Sequence, residues 1–134
     1  MPQLKITAAK MVADARERIE EIGAKELVAQ LGARDLVIVD IRDLRERERE
    51  GIIPGSVHAP RGMLEFWVDP ECKYHKPVFD QPGKRYVLHC AAGWRSALAA
   101  ATLGDMGFPC AHLREGFSGW REAGGPVEKL GPWR

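Results

Sequence analysis

The chain has 134 residues, 45% of them apolar, which is enough for one domain with its own core. Twenty Lys and Arg against 19 Asp and Glu leave a formal net charge of +1. With the signs interspersed, this excludes the basic field of a nucleic-acid binder. No stretch approaches the roughly 20 apolar residues of a membrane span, the Met1-Pro2-Gln3-Leu4-Lys5 start lacks a signal-peptide core, and three scattered cysteines suggest neither a disulfide framework nor a Cys/His zinc set. The expectation is a soluble cytoplasmic protein with no membrane or nucleic-acid partner, no metal and no cofactor.

Thr7 is placed to cap a helix running to about Arg18, with Ala8, Met11, Val12 and Ala15 on one apolar side. Such a helix either packs over part of a sheet or forms an interface with another molecule. Ile19 to Ile22 reads as a short strand, and residues 24 to 31 as a helix ended by Gly32. The run Asp35 to Ile41 is nearly all apolar, as in a parallel strand buried on both faces, which puts Asp40 at its carboxyl end. Arg42 to Glu50 alternates charge at helical spacing and is expected to be a short solvated helix. Pro54-Gly55 marks a turn before the strand Ser56 to His58, and residues 59 to 67 suggest a brief helix. A long, partly ordered connection then reaches Pro82. Arg61 in this connection either guides an anionic ligand at a pocket mouth or is an ordinary surface arginine. Cys72, also in it, is a candidate resolving thiol, whereas Cys110 reads as core.

Tyr86-Val87-Leu88 reads as a buried strand that Cys90 ends, and Arg95 opens a helix with Leu98, Thr102, Leu103 and Met106 at helical spacing. Ala111 to Leu113 is a last strand, Trp120 anchors a last helix, and Trp133 lies in a Gly/Pro-rich tail. This alternation predicts one α/β domain with a parallel sheet of about five strands flanked by helices.

The loop from Cys90 to Arg95 can curl into a cradle of inward-pointing N–H groups, with Gly93 supplying a left-handed turn. Such a loop suits an anion. A cysteine ionising near ~8.5 must fall by about 1.5 units to be half thiolate at neutral pH, which requires about 2 kcal/mol. One or two backbone hydrogen bonds to a charged sulfur, at roughly 1.5–3 kcal/mol each, supply that, and a helix N-terminus adds ~0.3–1 kcal/mol. The alternative is that Cys90 is a small buried hydrophobe.

Cys90-x-x-Gly93-x-Arg95-Ser96 resembles the active-site loop of the rhodanese-like sulfurtransferases. Asp40-x-Arg42, with Glu46 four residues on, resembles that family's Asp-x-Arg-x-x-x-Glu signature. Ile53-Pro54-Gly55-Ser56 resembles its Ile-Pro-Gly-Ala segment, and Gly116 to Trp120 its closing Gly-Gly-x-x-x-Trp. Glu115 replaces the first glycine of that pair, and Ile52 stands where histidine is common; a carboxylate at 115 weakens anion binding if it points inward. The resemblance implies a three-layer rhodanese-like domain over 19–134, preceded by a helical extension over 1–18. It further implies that Cys90 is a covalent sulfur carrier and Arg95 a loop-closing catalytic residue. Ala91, Ala92, Gly93, Trp94 and Ser96 then bind the substrate with Arg61, while Asp40, Arg42 and His89 support the loop, Asp40 by accepting from Arg95 or a loop amide. Trp94 shields the persulfide, contacts a partner or packs on a neighbouring loop.

The implied chemistry takes sulfane sulfur from a small anionic donor such as thiosulfate and passes it to cyanide, a thiol or a protein acceptor, in a monomer or homodimer. A cysteine phosphatase is the main enzymatic competitor, but phosphatase signatures place five residues between Cys and Arg, and here four intervene. A redox-sensing or protein-interaction module is the non-sulfurtransferase alternative.

Overall fold

The apolar runs pair as one parallel sheet, and the segments between them become its covering helices. In the computed structural model, which describes residues 1–131, the strands are β1 (Glu20–Ile22), β2 (Leu36–Asp40), β3 (Val57–His58), β4 (Arg85–His89) and β5 (Ala111–Leu113). Their order is β1-β5-β4-β2-β3, and every pairing is parallel. The helices are α1 (Ala8–Arg16), α2 (Ala24–Gln30), α3 (Leu44–Glu50), α4 (Leu64–Val68), α5 (Trp94–Asp105) and α6 (Gly116–Glu122). Trp133 lies outside the described residues.

Side chains alternate across a strand, so consecutive apolar residues feed opposite layers. Val39 and Leu88 pack on one face with Leu64, Phe79 and Leu103. Ile38 and Val87 pack on the other with Leu27, Phe117 and Trp120. The register aligns Asp40 with His89 on one side and His58 on the other, so polar groups gather at the carboxyl ends of the strands. Open parallel sheets form their sites at that edge.

Three expectations need correction. α1 is capped as expected, Thr7 Oγ1 accepting from the Lys10 amide at 3.1 Å, but it covers a helix rather than the sheet. Val12 and Ala15 meet Ala97 and Ala101 of α5, while Ala8 and Met11 are exposed. α5 in turn buries Ser96, Ala97, Ala99, Ala100, Ala101 and Leu103, and leaves Met106 exposed. Because α5 is held between the sheet and α1, its small residues face inward, where close approach matters more than side-chain bulk. The charged run Arg42 to Glu50, which contains α3, is not wholly solvated either: Asp43 and Glu46 form a reciprocal N-terminal cap, but Arg42 and Arg47 are buried. The 59–82 connection is also better built than expected. It holds α4 and two short 3-10 turns, and it sends Leu64, Val68 and Phe79 into the core.

Candidate active site

The loop between β4 and α5 closes around a sulfur. Cys90 is buried, and its Sγ accepts N–H bonds from Gly93 at 3.2 Å and from Ser96 at 3.3 Å. Of the amides expected to line the cradle between Cys90 and Arg95, that of Gly93 reaches the sulfur; the Ser96 amide, one residue beyond, is the second donor. Ser96 sits in the first turn of the 12-residue α5, so the helix directs its positive end at the thiol. Gly93 has φ +94°, and a Cβ built there would run into the Arg114 carbonyl oxygen and lie 3.2 Å from Arg16 Nη2. Gly116, at φ +70°, plays the same part opposite: a Cβ there would lie 2.7 Å from the Ala92 nitrogen. The two glycines let the start of α6 press on the loop, with the Phe117 amide donating to the Cys90 carbonyl at 2.8 Å.

Arg95 turns to α3, where its two terminal nitrogens donate to Glu46 at 2.8 and 2.9 Å. That pairing raises the Arg95 pKa further and holds the Glu46 carboxyl below the usual range. The expected bond from Arg95 to Asp40 is therefore not made. Asp40 accepts instead from the Arg42 amide (3.1 Å), Arg42 Nε (3.0 Å), Arg42 Nη2 (2.8 Å) and Arg47 Nε (3.0 Å). Both residues of the buried pair Asp40 and Arg42 are fully enclosed, and Arg42 also donates to the Gly51 carbonyl and lies over the Phe117 ring at 4.1 Å. Burial pushes the Asp40 carboxyl up, but hydrogen bonds and charge from the guanidinium outweigh it, leaving a pKa of about 2. Burial lowers His89 to about 4, although Asp40 lies 3.7 Å away. With His89 neutral at neutral pH, the positive charge holding Asp40 ionised comes from the two guanidiniums. One carboxylate against two guanidiniums gives this buried group a net charge of +1 on the side of the sheet edge that carries Cys90.

The remaining expected residues are scattered. His89 Nδ1 is 3.4 Å from the Cys90 carbonyl oxygen, so Asp40, Arg42 and His89 lie beneath the loop. Trp94 is half exposed. Arg61 donates to Glu65 at 2.8 Å and lines an open depression with Met11, Leu98 and Thr102; among the described residues, no hydrogen bond joins it to the cradle. Glu115 does not point inward, since it accepts from the Ala24 amide at 2.9 Å. Cys72 is a free thiol accepting from the Tyr74 amide. Cys110 is a partly buried thiol whose pKa burial pushes up to about 12, so it stays protonated. Among the described residues no cluster of His, Cys, Asp or Glu is arranged to hold a metal ion, and no helix is long and apolar enough to cross a membrane.

Four residues were missed. Arg47 reaches Asp40, and Arg16 brings a guanidinium from α1 beside Gly93. His112 bonds Ser96, and Glu21 bonds His112. Only His112, an imidazole inside a three-residue buried strand, left a trace in the sequence.

The chain is thus a parallel three-layer α/β domain whose buried thiol accepts from backbone amides at the strand ends. Residues 23–123 match the rhodanese-like domain, and the chain belongs to that family. It is 32% identical over 102 residues to the mouse thiosulfate sulfurtransferase/rhodanese-like domain-containing protein 3, matching 73% of this chain and 64% of that one. The chain thus spans less than two thirds of that curated relative. Its fold is shared with a protein of unknown function from Rhodopseudomonas palustris CGA009, described as a possible tyrosine phosphatase. The two are 51% identical, with 96% of this chain and 99% of that one covered and a TM-score of 0.90. The thiosulfate sulfurtransferase of Pseudomonas aeruginosa is 30% identical with a TM-score of 0.75, covering 91% of this chain but 22% of that one.

Proposed function

We propose that the chain is a sulfurtransferase domain that carries sulfane sulfur as a Cys90 persulfide. The observation that carries this reading is the buried Cys90 Sγ, which accepts two backbone N–H bonds at the start of α5. Cys90 thiolate attacks the outer sulfur of thiosulfate or a similar donor. A new S–S bond forms, and the old one breaks with its electron pair leaving on sulfite. The cradle then holds the persulfide anion. Cyanide, a thiol or a protein acceptor attacks the outer sulfur, and Cys90 departs as thiolate.

In this reading Arg95 closes the loop by fastening it to Glu46, and Asp40, Arg42 and His89 hold it from below. Trp94 faces whatever brings or removes sulfur. The domain spans 19–134 with α1 as its helical extension, and it works in the cytoplasm as a monomer or homodimer.

The description of the Rhodopseudomonas protein favours a second reading, phosphate-ester hydrolysis. Two features speak against it: four residues separate Cys90 from Arg95, and Arg95 is committed to Glu46 rather than to an anion in the cradle. Intact-protein mass after thiosulfate tests the proposal. Wild type should gain about 32 Da, one sulfur, reversed by cyanide or dithiothreitol, and Cys90→Ser should gain nothing. Aryl phosphate turnover without any sulfur adduct would favour the second reading.

A further inference from the structure

Behind the cradle, a chain of hydrogen bonds leads from the sulfur to the protein surface. Cys90 Sγ lies 3.5 Å from Ser96 Oγ. Ser96 Oγ lies 2.8 Å from His112 Nδ1, and His112 Nε2 lies 2.8 Å from Glu21 Oε2. Ser96 and His112 are fully enclosed. Glu21 is partly exposed and has Arg16 Nε 3.6 Å away. Three secondary elements, α5, β5 and β1, each place one member, and the pairing of Glu21 with His112 across the β1/β5 register sets the last contact.

The donor count allows this chain two arrangements. An ionised carboxylate only accepts, so His112 Nε2 carries a hydrogen toward Glu21. If His112 Nδ1 is bare, the Ser96 hydroxyl donates to it and offers Cys90 only lone pairs, which suits a thiol. If Nδ1 is protonated, it donates to Ser96 Oγ, and the hydroxyl proton turns to Cys90, which suits a thiolate. Both ends switch together without any heavy atom moving.

We propose that Ser96, His112 and Glu21 form a proton wire that takes the Cys90 proton and holds it while the sulfur is anionic. Ser96 is then a further catalytic residue, and His112 and Glu21 are positioning residues. In the step itself the Cys90 S–H bond breaks and its proton passes to Ser96 Oγ as the Ser96 proton passes to His112 Nδ1. Thiol and imidazole become thiolate and imidazolium; the total charge is unchanged and nothing is oxidised. Attack on a sulfur donor moves the negative charge to the outer sulfur of the persulfide, so the proton stays on His112 through both half-reactions.

The charges around the wire fit this sequence. Burial lowers the His112 pKa most, Glu21 on β1 opposes that, and Arg16 on α1 and Arg114 beyond β5 lower it further. His112 is therefore neutral while Cys90 is a thiol, and a thiolate's negative charge favours the imidazolium against burial and the two guanidiniums. Arg95 also faces the thiolate through charge, independently of the wire.

This inference rests on Cys90 being the nucleophile proposed above, but it is read from thiol ionisation rather than from sulfur turnover. The rate of Cys90 alkylation by iodoacetamide, followed on the Cys90 peptide from about pH 5 to about pH 10, reports that ionisation directly. Ser96→Ala, His112→Gln and Glu21→Gln should each move the midpoint up by about one unit, roughly tenfold slower near neutral pH, with the high-pH plateau kept within about twofold. A role confined to packing would lower the melting temperature and leave the midpoint in place. Midpoints within about 0.3 unit of wild type in folded Glu21→Gln overturn the wire; that side chain is partly exposed, so this variant decides the matter if His112→Gln does not fold. A shifted midpoint in a protein that takes no sulfur from thiosulfate supports the wire and counts against the thiosulfate reading alone.

Discussion

Replacing Gly93 by alanine strikes the fold and the chemistry at one atom. The position has φ +94° and ψ 0°, and the added Cβ would meet the Arg114 carbonyl and Arg16 Nη2. An L side chain in left-handed backbone costs roughly 1–2 kcal/mol, and forcing a methyl into a filled site costs about 1–3 kcal/mol more. The stability loss is therefore about 2–5 kcal/mol, a large share of the roughly 5–15 kcal/mol typical of a domain. Relief requires the loop to back away, which draws the Gly93 amide off Cys90 Sγ from its 3.2 Å contact. Losing one hydrogen bond to a charged sulfur, about 1.5–3 kcal/mol, should slow Cys90 alkylation near neutral pH by roughly ten- to a hundredfold. Urea denaturation and iodoacetamide kinetics measure the two effects separately. A variant within about 1 kcal/mol of wild type with unchanged alkylation would refute the steric and electrostatic reasoning together.

Arg42→Met removes one guanidinium from the fully enclosed Asp40 pair. It should cost about 3–5 kcal/mol in urea denaturation, because a buried carboxylate loses its main partner; the exposed Arg49→Met should cost under about 0.5 kcal/mol. Equal effects would mean that the buried cluster carries no special weight. Stability should also depend on pH through His89, held at about 4 by burial. Its folded pKa is depressed, so between about pH 6.5 and that value the unfolded chain binds the extra proton. Stability is full above about pH 6.5 and falls as pH drops toward 4, by up to about 3 kcal/mol, with His112 acting in the same direction. Denaturation midpoints that stay level across this range would contradict a buried neutral imidazole.

What could be read from the chain alone was whatever is local in sequence. The run Leu36 to Asp40 and the run Tyr86 to Leu88 announce buried strands because both sheet faces are covered, and Cys90 to Ser96 carries its own turn, helix start and sulfur ligands within seven residues. What was hidden depends on partners far along the chain. Arg95 meets Glu46 rather than Asp40 because Arg42 and Arg47, adjacent to Asp40 through β2 and α3, saturate it first. Of the helically spaced Leu98, Thr102, Leu103 and Met106 of α5, Leu103 enters the core and Leu98 packs beside α1 while Met106 stays exposed; Ala97 and Ala101 gave no signal of their own, because only the close approach of α1 buries them. Glu21 and His112 carry no mutual signal in the sequence, because only the β1/β5 register sets them side by side.

The order β1-β5-β4-β2-β3 also bears on how the molecule comes into being. β5 is an inner strand, so β1 has no place in the sheet until the chain has been made past Leu113. Glu21 and His112 are 91 residues apart, and at the usual ~5–20 residues per second that is a wait of roughly 5–20 s during synthesis. Cys90 is made 22 residues before His112, so for roughly the last 1–4 s of that interval the nascent chain contains the thiol while β5 has not arrived to bring His112 behind Ser96. Such late, long-range closure belongs to the slower end of single-domain folding. It also delays the arming of the thiol until the sheet that shelters it is complete.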